Sequence, residues 1–179
     1  HEKPLDGGYW GYNNLSFFAP EHTFSADFQA TGRVDGVIDE FKWMVDQLHQ
    51  NGIEVIVDVV YNHTGEGGLW REKLFFETFE EATAVNFDPK EVAGLYSYRG
   101  LDNAAWYALS PDGQTYWNNT GVGNQLRPNH TPGERIIMDS LYYLVEELHV
   151  DGFRFDLAGI LGQEDLDYNR PTPVQSTIV

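Results

Sequence analysis

The chain has 179 residues, 41% of them hydrophobic and 22% charged, which is enough for one domain with a buried core and excludes a disordered polymer. A net charge of −17 excludes nucleic acid, whose phosphates demand a basic face, and opposes an anionic membrane surface, leaving a neutral polymer compatible. With no cysteine, a disulfide, a thiolate zinc site and a cysteine nucleophile are excluded as well.

Residues 1–33 are rich in Gly, Pro, Asn and aromatics without a steady period and read as a structured loop. No apolar run reaches membrane-spanning length, and His1-Glu2-Lys3-Pro4 is no signal peptide. A gene product starts with Met, so His1 sets the expectation of a piece cut from something longer. The 11 Phe, 10 Tyr and 5 Trp suit a large core, the default for any one ring, or a cleft for sugars, whose C–H faces match flat rings.

From Val34 a helical stripe begins: Val34, Val37, Ile38, Phe41, Met44, Val45 and Leu48. Asn51-Gly52 is its stop signal. Ile53 to Val60 is almost continuously apolar and β-branched apart from Glu54 and Asp58, the pattern of a parallel strand buried on both faces. The unit then recurs. Thr131-Pro132-Gly133-Glu134 reads as an N-cap, a proline at the first helical position and a capping glutamate. Ile137, Leu141, Leu144, Val145 and Leu148 form the next stripe, Asp151-Gly152 turns the chain, and Phe153 to Leu157 is the second strand.

Residues 61–130 between the units are too long for a plain connection. Within them, Trp106 to Leu109, Ser110-Pro111-Asp112-Gly113 and Gln114 to Trp117 suggest a hairpin. Two such units suit a doubly wound sheet or a barrel, and in barrels long insertions after strands sit on the catalytic face.

Side chains alternate along a strand, so Arg154 and Asp156 share one face at the strand's C-terminal end. The Arg can hold the carboxylate ionised and orient it; a structural ion pair is the alternative. Asp58, Asn62 and His63 end the first strand and could line the same mouth and hydrogen-bond sugar hydroxyls, His63 being open to a purely structural role. A metal site at His63 and Asp58 lacks the spacing of a recognised zinc helix.

Asp58-Val59-Val60-Tyr61-Asn62-His63-Thr64 and Gly152-Phe153-Arg154-Phe155-Asp156 resemble the first two signature regions of the alpha-amylase superfamily of glycoside hydrolases, in the right order and at a fitting separation. Tyr9-Trp10-Gly11-Tyr12-Asn13, Tyr98 to Asn103 and Asn119 to Asn124 are similar to isoamylases and bacterial glycogen-debranching enzymes. The resemblance runs over roughly residues 9–162.

It implies an α/β fold: an incomplete (β/α)8 TIM barrel of about two strand–helix units with a long inserted loop region. Residues 1–179 would form one partial catalytic domain: 34–60 helix plus strand, 61–130 insertion, 131–157 helix plus strand. The rest of the barrel would be missing, since a whole one takes about 250 residues. Asp156 would be the nucleophile of a retaining double displacement and Arg154 its orienting partner. His63 would hydrogen-bond the sugar at the cleavage subsite, Tyr12 would stack on it, and Asp58 and Asn62 would buttress the mouth, Asp58 structurally.

The implied reaction is hydrolysis of alpha-1,6 branch linkages in glycogen or amylopectin. The alternatives are alpha-1,4 hydrolysis, branching transfer, trehalose release, or a non-catalytic module that binds glucan or associates with other chains through open barrel edges. The family's general acid would follow the next strand. Glu164, in a polar loop, is not assigned to it, so the 179 residues alone are expected to be inactive. Asp165-Leu166-Asp167-Tyr168-Asn169 imitates a calcium loop, but Arg170 replaces the turn glycine and Ser176 the bidentate Glu. Glu21 alone is too little for a metal site. No metal or cofactor is expected; the partner is an alpha-glucan polysaccharide, with neither nucleic acid nor membrane. The setting expected is cytoplasmic, with secretion as the alternative. The sequons at Asn14, Asn62, Asn118 and Asn129 carry no weight, since one lies inside a catalytic signature.

Overall fold

A computed structural model describes residues 11–12, 14–65, 98–111, 113 and 116–162. Tyr9, Trp10 and Asn13 of the first motif, half of the insertion, Glu164, the calcium-like segment and the tail from Pro171 lie outside the described residues. In chain order the elements are a 3-10 turn at His22–Phe24, α1 (Ala26–Thr31), α2 (Val37–Gln50), β1 (Ile56–Val59), α3 (Arg99–Trp106), α4 (Thr131–Glu146), β2 (Gly152–Phe155) and α5 (Ala158–Leu161). Among the described residues no helix is long and apolar enough to cross a membrane.

The first segment is more ordered than a loop. Ser25 caps α1 by accepting from the Phe28 N–H at 3.1 Å. Glu40, on α2, accepts from the Ser25 hydroxyl at 2.6 Å and from the Ala26 and Asp27 N–H groups at 2.9 and 3.1 Å. One carboxylate thus satisfies donors that a six-residue helix cannot satisfy itself. Its pKa is lowered, first by the Ser25 bond and then by the two backbone donors.

Helix α2 turns Val37 and Val45 into the core, with Ile38 and Phe41 packed against it. Val34 and Met44 belong to the expected stripe but are exposed: Val34 precedes the helix, and Met44 borders a cavity. The helix stops at Asn51-Gly52, where Gly52 takes a φ of +70° that a side chain would disfavour. The Gly52 and Ile53 N–H groups then return to His49 and Leu48 carbonyls.

Strands β1 and β2 pair in parallel, with Asp58 opposite Arg154 and Val59 opposite Phe155. Val57, Val59, Phe153 and Phe155 join the hydrophobic core on one face. The expectation of a first strand buried on both faces is corrected. The strand is shorter, Ile53 and Ile56 are 52% and 57% exposed, and among the described residues β2 is its one partner. Nearly continuous apolar sequence marks a strand that can be covered twice; here Ile56 is exposed on one face, and among the described residues one edge is unpaired.

Helix α4 begins one residue earlier than the capping pattern suggests. His130 holds the extended N-cap conformation, there is no side-chain cap, and Thr131 is already helical. Gly133 is needed where it stands, because a Cβ there would collide with the Arg127 carbonyl. The α4 face buries Ile137, Ser140 and Leu144. Ser140 bonds the Tyr61 hydroxyl at 2.7 Å, and Phe17 meets the Tyr61 ring edge-on at 4.8 Å, so the aromatics here are core.

The hairpin also shifts. Trp106 ends α3, a helix the polar, glycine-containing stretch gave no periodic sign of, and in which Asp102 leaves helical geometry and re-caps the last turn through Ala105 N–H at 3.2 Å. The antiparallel contact is then Leu109 with Tyr116, while Tyr107 bridges to Leu126. A cavity of about 510 Å³ lies beside α2 and β1, walled by Phe17, Phe41, Trp43, Met44, Val57 and Val59 among others. Apolar surface dominates its walls, although Asn14, Glu21, Glu40 and Asp58 also line it, and Asp156, Asn62 and His63 do not.

Candidate active site

Parallel pairing puts the C-terminal ends of β1 and β2 side by side, and chain polarity does the rest. Because Asp58 and Arg154 are cross-strand partners, their side chains leave the same face. Arg154 Nη1 donates to Asp58 Oδ1 at 2.9 Å and to Asp156 Oδ1 at 3.1 Å. The Asp156 N–H continues the ladder to the Val59 carbonyl at 3.0 Å, so the carboxylate is held one residue past the strand. Directly after it Leu157 adopts a left-handed φ of 46°, a conformation that costs a non-glycine residue energy and turns the chain sharply into α5.

The other Asp156 oxygen faces Asn62. Asn62 Nδ2 donates to Asp156 Oδ2 at 3.1 Å and to the Asp156 carbonyl at 2.9 Å. With its Nδ2 committed, Asn62 offers Oδ1, which bonds His63 Nδ1. Tyr12 reaches the group from the N-terminal segment, its hydroxyl donating to Asp58 Oδ2 at 2.7 Å. All six residues singled out in the sequence, Tyr12, Asp58, Asn62, His63, Arg154 and Asp156, therefore form one connected constellation.

Exposure is graded across it. The Arg154 side chain is 54% exposed and that of Asp156 19%, while Asn62 and His63 are buried. Burial dominates the His63 imidazole and lowers its pKa to about 4, against the opposing pull of a bond with the Tyr12 backbone and of the Asp156 charge. The ring is neutral near pH 7 and acts as a hydrogen-bonding group rather than a cation. The Tyr12 phenol is shifted upward, first by its bond to Asp58, which keeps it a donor. The Arg154 guanidinium is likewise shifted upward, chiefly by Asp58.

The arrangement presents one carboxylate whose two oxygens are separately oriented, a neutral imidazole behind it and an aromatic ring at the rim. Both Asp58 oxygens already accept bonds, so Asp58 is not placed to hand a proton to a leaving group. Among the described residues no cluster of His, Asp and Glu could hold a metal ion.

Two further residues hold the first strand's exit, and sequence reasoning gave neither a role. Asn14 Nδ2 donates to the Val60 carbonyl at 2.9 Å, and its own carbonyl accepts from Gly65 N–H at 3.1 Å. Asn124 bonds both backbone groups of Thr64. The available signal was weak: polar residues in glycine-containing loops that turn out to be buried.

The alpha amylase catalytic domain family matches this chain over residues 20–176. Isoamylase of a Flavobacterium species is 45% identical over 154 residues, 86% of this chain and 18% of that protein. The glycogen operon protein GlgX homolog of Mycobacterium bovis is 43% identical over 90% of this chain and 19% of its own length. In structure, the chain is similar to a pullulanase from Paenibacillus barengoltzii complexed with maltohexaose and alpha-cyclodextrin, with a TM-score of 0.65, 28% identity, and coverage of 88% of this chain and 20% of that one. A maltose-complexed type I pullulanase from Bacillus subtilis matches with a TM-score of 0.60, 34% identity, and coverage of 88% and 18%. The chain thus spans about a fifth of the length of these relatives. With its signature residues meeting at adjacent strand ends, this chain belongs to the alpha-amylase catalytic-domain family.

Proposed function

We propose that this chain is the nucleophile-bearing section of a retaining alpha-glucan hydrolase that cleaves alpha-1,6 branch linkages in glycogen or amylopectin. The observation that carries it is the Asp156 carboxylate gripped between Arg154 and Asn62 at a parallel strand's end. Relatives named isoamylase and pullulanase, the latter crystallised with maltooligosaccharides, support the debranching subtype and the substrate class.

In this reading Asp156 attacks the anomeric carbon while a second carboxyl, about 5 Å away, protonates the departing oxygen. Water, deprotonated by that same group, then displaces Asp156 and regenerates it. Arg154 orients the nucleophile and His63 hydrogen-bonds the sugar; Tyr12 stacks on it, and Asp58 and Asn62 support the rim. The second carboxyl is proposed to come from elsewhere in a longer protein, which completes the barrel of which these two units are part. The 179 residues alone are then expected to show no turnover. A cytoplasmic setting belongs to the same reading, supported by the glycogen-operon relatives, although plant relatives are named chloroplastic.

The test is turnover by the full-length protein on branched glucan, pullulan and linear maltodextrin. Preference for the branched substrates supports debranching, and preference for linear maltodextrin points to alpha-1,4 hydrolysis. Robust hydrolysis by the isolated chain would falsify the need for an outside acid. A second reading concerns the isolated chain alone: Trp43 and Ile56 are exposed, and among the described residues β1 and β2 pair only with each other, which favours self-association. Size-exclusion chromatography at rising concentration tests it, a constant monomer counting against it.

A further inference from the structure

Asn124 is 0% exposed although it sits in a loop that begins Gly121-Val122-Gly123. Its side chain accepts from the Thr64 N–H at 3.1 Å and donates to the Thr64 carbonyl at 2.8 Å. Those are the two bonds that a directly opposed residue makes in an antiparallel ladder. Two residues on, one backbone bond joins the same two segments: Leu126 N–H donates to the Asn62 carbonyl at 3.0 Å. The Asn124 backbone carbonyl accepts from the Thr120 hydroxyl, so a side-chain amide stands in for the main chain as the missing rung. Thr64 is held from its side chain too, by the Tyr107 hydroxyl at 2.8 Å.

The peptide groups on either side of His63 are therefore fixed by one short segment, residues 124–126. We infer that Asn124 is a positioning residue, which sets the backbone at Thr64 so that the His63 imidazole keeps its seat beside Asn62 and Asp156. The inference rests on the reading of His63 as a sugar-contacting group. Asparagine suits the task because one planar group must offer an acceptor and a donor at short reach. Leucine offers neither, serine offers both only from a single oxygen on a shorter side chain, and glutamine adds a methylene where Asn124 has no exposed surface. Displacements of about 1 Å at a reacting centre cost on the order of 100-fold in rate, so a rung this close to the site has leverage on turnover.

The experiment measures kcat/KM on branched glucan for the full-length enzyme and its Asn124→Ala, His63→Ala and double variants, with thermal melts alongside. Positioning through His63 predicts that Asn124→Ala lowers kcat/KM by about 10- to 100-fold. The loss should shrink to about 2-fold or less where His63 is already alanine. The drop in melting temperature should be the same in both backgrounds. Equal activity losses in both backgrounds overturn the inference and leave Asn124 a structural residue. If Asn124→Ala does not fold, Tyr107→Phe replaces it with the same criterion: a loss that vanishes without His63 supports positioning, while an equal loss or none overturns it. An unchanged kcat/KM in His63→Ala overturns the sugar-contacting assignment and this inference together. Asp156→Asn reports separately on the glycosidase reading.

Discussion

The two ends of the β1–β2 pair are built from similar groups and do different things. At the N-terminal end, Asp151 Oδ2 accepts from Val55 N–H and meets His49 Nε2, both at 2.7 Å, while Asp151 N–H closes onto the Val55 carbonyl at 3.0 Å. At the C-terminal end, Asp156 is also close to a histidine, but through Asn62, and its oxygens are divided between Arg154 and Asn62. The first carboxylate uses a single oxygen to tie a helix end to two strand starts. The second is held by side chains that fix the direction of each oxygen. Barrel enzymes place their reactive groups at the C-terminal strand ends and stabilising contacts at the other, and the proposed function puts the same pair, Asp and His, to both uses here.

The sharpest way to break that contrast is one chemical change made at both ends. Asp156→Asn in the full-length enzyme is expected to lower kcat by about 10⁴-fold or more, since amide nitrogen cannot form the glycosyl ester. Its melting temperature should stay near that of the parent. Near-normal turnover would remove Asp156 as nucleophile, and a collapse of the melt would reduce it to a structural residue like Asp151.

Arg154→Lys comes next. The guanidinium bonds both Asp58 and Asp156 from one nitrogen, and an ammonium on a flexible stem keeps the charge without the fixed geometry. Loss of about 10- to 100-fold in kcat, with the melt little changed, is the expected outcome. If Lys serves as well as Arg, charge alone matters there and the orienting role is wrong.

The third effect is on stability. His63 is buried with a pKa lowered to about 4 from an ordinary 6.5. The unfolded chain then binds the extra proton between those values, so stability rises with pH through this window and is lost as pH falls from about 6.5 to about 4. The span corresponds to about 3 kcal/mol at most. Melts of the native protein and His63→Gln from pH 7 to pH 4 should show a shallower fall in the variant. Parallel curves would mean that His63 is not buried in its neutral form.

How much of this was readable beforehand depends on the reach of each interaction. The alternation that puts Arg154 and Asp156 on one face is local, and so is the Asn51-Gly52 stop; both are legible in a few consecutive residues. The exposed face of β1 was not, because burial is decided by what packs above Ile56 rather than by Ile56 itself. The start of α4 shifted by one residue because backbone geometry at His130, not a hydroxyl cap, opens the helix. Asn124 was hidden for a stronger reason: its partner Thr64 is 60 positions away, and a glycine-flanked asparagine is the usual signature of an exposed turn. The six site residues are marked by pattern and by resemblance; the rung proposed to steady them is set by a contact that only the folded chain makes.

The smallest expected effect sharpens the contrast from the other side. Asp151→Asn keeps an oxygen for the Val55 N–H but removes the charge that pairs with His49. The Asp151 carboxyl is held below its ordinary pKa, first by the Val55 N–H and then by His49. Its contribution is therefore present at neutral pH and is lost as pH falls through the lowered value. The pair is solvent-exposed and screened, so the melting temperature should fall by only a few degrees at pH 7. That gap should close in acid, while kcat/KM on glucan stays at the parent value. A loss of turnover in Asp151→Asn with an unchanged melt would mean that the closure at the strand starts transmits to the site at their ends, and the division of labour between the two Asp–His pairs would have to be abandoned.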